Sequence, residues 1–295
     1  MLEFTPISKN DFERYNKYRS KDETNASEGV FMTMFIWDKY YNLELAENGE
    51  FLFIRFNIKG KEPSYSFPIG SGNLGKAIEE LSSYVKIHSE RLIFRLVSHE
   101  NVQKLEELYP DRFTFNQSRD SFDYIYLTEK MISLSGKKLH AKRNHLNYFL
   151  EKYEYEYISV TDERLLDECA KKADSWVKAK KKNKNPYEAE AMQTYFENFF
   201  TFNQTGGVIK SDGEIVAMSF GERLNSDTAL IQIELADDNF RGAYQAINKM
   251  FCENEWADCT YVNREEDMGI EGLRKAKMSY QPAFLVEKYY IEEEK

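Results

Sequence analysis

Between Thr228 and Trp256 the apolar pattern changes its period within one short stretch, TALIQIELADDNFRGAYQAINKMFCENEW. Ala229, Ile231, Ile233 and Leu235 alternate with Thr228, Leu230, Gln232 and Glu234, a period of two that predicts a strand laid on a core. After Asp237-Asp238-Asn239 and Arg241-Gly242 the spacing becomes that of one helical face, through Ala243, Ala246, Ile247, Met250 and Phe251. A strand that runs straight into a helix points unpaired backbone N–H groups and the positive end of the helix dipole at the space beyond it. Arg241 and Gly242 are therefore expected to hold a phosphate, with Gly242 letting the anion approach the main chain. An ordinary strand-to-helix turn carries the same pattern.

The rest of the chain repeats this plan. In the first half, helices are expected from about residue 8 and from Ser27 to Tyr40, then strands at 43–46, 51–58 and 64–68 parted by Asn48-Gly49 and Lys59-Gly60-Lys61. PIGSGNLG then leads into a helix at 73–88, followed by a strand at 92–96, a helix at 99–108 and strands at 112–115 and 122–127. A helix at 136–152 links to the second half. There a strand at 155–160 precedes a helix that ends in a basic run broken by Pro186, a helix at 188–202, and strands at 207–210 and 214–224. The opening strand and helix follow, then a strand at 260–264, a short helix at 270–279 and a strand at 283–291. Two helices, a three-strand meander, a helix after a glycine turn and a closing strand–helix–strand occur twice. The implied fold is a duplicated α+β arrangement, with domains over 1–135 and 136–295.

A net charge of −10 over 295 residues argues against a surface built for DNA, yet Lys and Arg gather at 137–143 and 171–184, so the basic surface is local. Cys169, Cys252 and Cys259 form no CxxC pair, and the four histidines are scattered, so neither a disulfide framework nor a metal site is assigned. The longest apolar run, Val30 to Trp37, is far too short to span a bilayer, and the N-terminus lacks a leader pattern. A reducing cytoplasm is the expected location.

Several residue groups could carry chemistry. On the linking helix Lys142 and Arg143 fall on the apolar stripe of Leu139, Leu146, Phe149 and Leu150. Arg143, with Lys142, would either reach a cleft and hold a phosphate or carboxylate, or pack its stem and send its head to solvent. Asp123 and Tyr124 sit on opposite faces of one strand, one of which must meet something polar. Asn263, Arg264 and Asp267 lie just past a strand end, where ligands of open sheets bind, and Lys277 and Tyr280 follow on the next helix. Lys277 could neutralise a developing oxyanion or cap its own helix. Glu234, late on the central strand, could hold or deprotonate an amine, or be an exposed carboxylate. Gly70-Ser-Gly72-Asn-Leu-Gly75 matches GxGxxG but follows a meander, with no βαβ unit, so a dinucleotide fold is set aside and a phosphate-cradling turn at Gly70 and Gly72 is kept.

The repeated plan resembles the GNAT acyltransferases, and two copies in one chain resemble the aminoacyl-tRNA-dependent transferases: the Fem-type enzymes and the C-terminal part of phosphatidylglycerol lysyltransferase. The resemblance spans nearly the whole chain. Asp123-Tyr124-x-Tyr126, Leu134-Ser-Gly136-Lys-Lys, Lys142-Arg143-Asn144-His145, Glu234-Leu-Ala, Asn263-Arg264-Glu-x-Asp267-x-Gly269 and Gly272-Leu-Arg-Lys-Ala-Lys277-x-Ser-Tyr280-x-Pro282 look like a bacterial family grouped with that lysyltransferase part. The resemblance implies two tandem GNAT-type acyltransferase domains, aminoacyl-tRNA as donor, a small-molecule or lipid acceptor, tRNA as partner, and Lys277 in the place of a site lysine. It also leaves open an acyl-CoA-dependent N-acyltransferase and a non-catalytic nucleotide- or peptide-binding module. Asn239 and Tyr244 depart from the Gln or Arg, and the Gly or Ala, that acetyl-CoA-dependent members carry around the glycine of that turn.

Overall fold

The computed structural model describes residues 1–21, 24–179 and 187–294. The chain divides into two units, Met1–Phe122 with Val286–Lys295, and Asp123–Leu285. In chain order the strands are β1 (Thr5–Pro6), β2 (Leu43–Glu47), β3 (Phe51–Phe56), β4 (Ser64–Tyr65), β5 (Ile69–Gly70), β6 (Ile93–Ser98) and β7 (Phe113–Gln117). They continue with β8 (Asp123–Leu127), β9 (Glu156–Ser159), β10 (Thr205–Ser211), β11 (Glu214–Arg223), β12 (Thr228–Ala236), β13 (Tyr261–Asn263), β14 (Phe284–Val286) and β15 (Lys288–Glu293).

One sheet has the order β1-β2-β3-β4-β6-β15-β7, with β5 on β3; the other has the order β14-β8-β13-β12-β11-β10-β9. Each contains four antiparallel strands followed by one parallel neighbour, β4 to β6 and β12 to β13. The plan is thus duplicated as the element order suggests. The division of the chain differs from the expected one at 135/136, because each sheet takes one strand from a remote part of the sequence. β15 lies between β6 and β7, and β8 lies between β13 and β14. Tyr124, Ile125 and Tyr126 of β8 are all buried, which marks an interior strand without saying between which neighbours it is interior.

Local differences are small. The first helix is Phe12–Arg19, the region expected as one helix over 27–40 is broken into Phe31–Ile36 and Asp38–Tyr41, and a further short helix spans Thr128–Ser133. The linking helix starts at His140 after a 3-10 turn, and the helix expected to reach 202 ends at Glu197. Residues 180–186, with most of the expected basic run and its break at Pro186, lie outside the described residues. Among the described residues no helix is long and apolar enough to cross a membrane.

In the second unit the helix Ala243–Glu255 lies against the sheet, and Ala246, Ile247 and Phe251 share one core with Ala229, Ile231, Val262, Tyr126 and Phe149. One feature of this sheet places the site. β12 pairs with β13 only over Thr228–Leu230, yet continues to Ala236, whereas β13 stops at Asn263. The two strands therefore part, while residues 264 and 265 stay on the β8 side through backbone hydrogen bonds with Tyr124.

Candidate active site

Glu234 lies on the length of β12 that pairs with β11 but not with β13, and is half-buried. Its carboxylate accepts from Arg264 Nη2 at 2.8 Å and from Asn248 Nδ2, on the facing helix, at 2.7 Å. Arg264 is the first residue after β13, and its backbone N–H, donating to the Tyr124 carbonyl at 3.0 Å, sets where the side chain leaves the strand. The guanidinium lies over the rings of Tyr280 (4.8 Å) and Tyr126 (5.6 Å). Its Nη1 is buried and has no hydrogen-bond partner among the described residues. Burial opposes the charge on Arg264, but the Glu234 carboxylate beside it holds its pKa above the usual arginine value.

Lys142 completes the group. Its Nζ lies 4.3 Å from the centre of the Tyr280 ring and makes no hydrogen bond or ion pair with any described residue. Burial, and then the neighbouring Arg264 charge, push its pKa below the ordinary lysine value, with Glu234 acting the other way. Burial raises the Tyr280 phenol to about 12, so it is a neutral hydroxyl at physiological pH.

The other residues of the 263–280 stretch form the frame that holds Arg264. Asn263 donates to Asp123 at 3.0 Å and accepts from the Glu265 N–H at 2.6 Å. Asp267 accepts from Tyr124 Oη (2.5 Å), from the Arg274 fork (2.8 Å twice) and from the Gly269 N–H (2.9 Å). Burial works against this carboxylate, but Arg274 and Tyr124 hold it well below the usual range. Lys277, buried, donates to the carbonyls of Arg264 (2.5 Å), Glu265 (3.1 Å) and Glu266 (2.5 Å), so all three ammonium protons have main-chain acceptors. Lys277 ties the loop, as Asp123, Tyr124, Asn263 and Asp267 do. Tyr280, Glu234, Arg264 and Lys142 form the open group.

Four expectations are corrected. Arg143 does not join this cluster: its Nη1 donates to the carbonyls of Leu134 and Gly136, closing the turn before its own helix. Gly242, at φ +92°, is not open to a ligand, since a Cβ there would lie 2.1 Å from the His145 carbonyl oxygen and 3.0 Å from Phe149 Cβ. The close approach this glycine allows is that of the helix His140–Lys152. Arg241 turns onto the Tyr148 ring at 4.5 Å. At the first glycine turn the N–H of Ser71 donates to the Glu50 carbonyl and that of Asn73 to the Glu50 carboxylate, and a Cβ on Gly72 would lie 2.6 Å from Glu50 Oε2. A carboxylate already occupies the place where Gly70 and Gly72 were expected to cradle a phosphate.

Asn248 was missed. Its only signal is an uncharged polar residue beside the apolar stripe of the helix, between Ile247 and Met250. A second buried polar group lies on the other face of the sheet, because a bulge in β12 at Gln232 turns that side chain toward Tyr195 and Phe220. Gln232 donates to Glu222 at 3.2 Å, and Tyr195 Oη donates to Gln204 (2.9 Å) and Gln232 (3.3 Å). Burial raises the Glu222 carboxyl to about 8.

Comparison with known proteins identifies the family and the fold. The family model for the C-terminal part of phosphatidylglycerol lysyltransferase matches residues 21–292. A conserved protein of unknown function from Bacteroides thetaiotaomicron VPI-5482 is 33% identical, with a TM-score of 0.94 and complete coverage of both chains. L-PGS from Bacillus licheniformis shares the fold at 17% identity and a TM-score of 0.70, over 95% of this chain and 91% of that one. FemX shares it at 10% identity and a TM-score of 0.63, over 98% and 96%. An uncharacterized protein of Mycoplasmoides gallisepticum is 27% identical over 182 residues, 58% of this chain, and the match spans only 56% of that relative. With two tandem GNAT-type halves and a match over nearly its full length, the chain belongs to the family of the phosphatidylglycerol lysyltransferase C-terminal part.

Proposed function

We propose that the chain is an aminoacyltransferase that moves an aminoacyl group from aminoacyl-tRNA to a hydroxyl or amine of a small-molecule or lipid acceptor. The observation that carries this reading is the Arg264 guanidinium: buried, oriented by Glu234, and left with a free donor, Nη1, in the gap between β12 and β13. An oriented cationic donor shielded from water suits the oxyanion that forms when a nucleophile adds to an ester carbonyl. Lys142, with its lowered pKa and unengaged amine, suits the general base. The acceptor's proton passes to Lys142 Nζ as the new C–O or C–N bond forms. On collapse of the tetrahedral intermediate the ester C–O bond breaks, and the proton goes to the departing 3′-terminal ribose oxygen of the tRNA. Lys137 and Lys138, exposed at the start of the linking helix, suit a phosphate backbone. A charged-tRNA donor fits a cytoplasmic location.

Against the acyl-CoA alternative, the turn that would cradle a pyrophosphate is filled at Gly242 by a neighbouring helix. The test is transfer of label from bulk tRNA charged with radiolabelled amino acids to phosphatidylglycerol vesicles or to hydroxylamine as a generic acceptor. Labelled product that vanishes in Arg264→Met supports the reading. Absence of both tRNA binding at low salt and label transfer refutes it.

A further inference from the structure

Three buried polar atoms with no hydrogen-bond partner among the described residues lie around Glu234. The first is Arg264 Nη1, a donor. The second is Asn248 Oδ1, an acceptor on a residue only 1% exposed, whose amide nitrogen is fixed on Glu234 at 2.7 Å; that bond sets which way the amide points. The third is Ser219 Oγ, on β11, fully buried and directly opposite Glu234 in the ladder. Opposed residues of an antiparallel pair have Cβ atoms about 5 Å apart on the same face, so this hydroxyl neighbours the carboxylate. Folded proteins leave few such atoms unsatisfied, because each forfeits the hydrogen bonds it made to water.

Their chemistry is complementary to one kind of group. Arg264 Nη1 offers a donor, Asn248 Oδ1 an acceptor and Ser219 Oγ either, while the Glu234 carboxylate keeps lone pairs beyond the two bonds it accepts. An occupant that satisfies all of them carries an oxygen acceptor beside a donor, and the Glu234 carboxylate favours that donor as a cation. A plain acyl group has the oxygen but no donor, and would leave Asn248 Oδ1 unmet.

We infer that Asn248 and Ser219, with Glu234, form an α-ammonium subsite, so that the site selects acyl groups bearing a free α-amine whose carbonyl oxygen lies on Arg264 Nη1. The inference rests on the aminoacyl reading above for the identity of that carbonyl. Asn248 and Ser219 are specificity residues in this arrangement, and neither takes part in bond making.

The test is calorimetric titration of the full chain with the α-amides of alanine and lysine and with their Nα-acetylated counterparts. The free amines are expected to bind about tenfold or more tightly than the acetylated forms, as fits loss of a charge-assisted hydrogen bond in a buried site. Asn248→Leu should bring the ratio to within about twofold, and Ser219→Ala should reduce it by a smaller factor. Should Asn248→Leu fail to fold, Ser219→Ala, which leaves both hydrogen bonds to Glu234 intact, carries the test. Equal binding of free and acetylated amides, no binding of either, or an unchanged ratio in Ser219→Ala and in a folded Asn248→Leu would overturn the subsite. A buried water in place of a ligand would produce one of these results. The tRNA transfer assay run on the same preparation separates the two failures. Transfer without any preference among amides removes the subsite alone, and preference without transfer removes the tRNA donor alone.

Discussion

Replacing Arg264 by lysine separates two roles that the guanidinium combines. Lysine keeps a positive charge within reach of Glu234, whose own side chain is 14% exposed against 12% for Arg264. It gives up the planar contact with Tyr280 and Tyr126, worth roughly 0.5–1 kcal/mol per ring at a partly exposed site. The expected loss of stability is about 1–2 kcal/mol, or a fall in Tm of roughly 2–8 °C for a chain of this size. A single ammonium cannot both hold Glu234 and present a second fixed donor in the gap, so the rate should fall about 10²- to 10³-fold, as on removal of one oxyanion donor. Arg264→Met goes further, because it strands the Glu234 carboxylate with Asn248 alone; the expected cost is about 3–5 kcal/mol. Thermal unfolding and single-turnover transfer, measured on the same preparations, read both quantities. A lysine variant that transfers at the wild-type rate would refute the assignment of Nη1. A methionine variant as stable as the wild type would refute the account of the ion pair.

Other substitutions probe the rest of the arrangement. Gly242→Ala should destabilise the protein by more than the ~1–2 kcal/mol of a left-handed alanine, since its Cβ would meet the His145 carbonyl at 2.1 Å; a Tm within 2 °C or so of wild type would contradict the packing role. If Lys142 is the base, kcat/KM rises with pH through an apparent pKa below the ordinary lysine value, and Lys142→Met removes that limb together with a factor of about 10²–10⁴ in rate. A limb that survives in the variant assigns the base elsewhere. Glu222 takes up a proton on folding between its ordinary 4.5 and about 8, so it contributes stability that is complete below that window and is withdrawn as pH rises, by about 1.4 kcal/mol per unit. Glu222→Gln should flatten the urea midpoint between pH 5 and 8 and raise it at pH 8; an unaltered profile would show that the carboxyl is ionised in the fold.

The change of period across Thr228–Trp256 foretold both the strand Thr228–Ala236 and the helix Ala243–Glu255. It could not say what Gly242 makes room for, because a positive φ serves a ligand and a packed helix equally well. The placement of β8 and β15 was illegible for a related reason: alternation and burial say that a strand is covered, and pairing partners are chosen by the whole sheet. Lys142 and Arg143 share one stripe of one helix, and which of them turns toward Tyr280 depends on the Leu134 and Gly136 carbonyls that capture Arg143. The loop after β13 was recognisable from its density of polar residues. That Arg264 faces the gap while Asp267 and Lys277 brace it is a matter of hydrogen-bond geometry, which spacing does not encode.

The interleaving of β15 between β6 and β7 constrains how such a chain can be made. The first sheet cannot close until β15 has emerged, and that strand is synthesised only after everything from Asp123 to Leu285. Until then β6 and β7 each present an unpaired edge, an invitation to the wrong neighbour. The second unit has no such wait, as β8 precedes the rest of its sheet. Vectorial synthesis would thus complete the second unit before its N-terminal companion, reversing the order in which the ribosome delivers them.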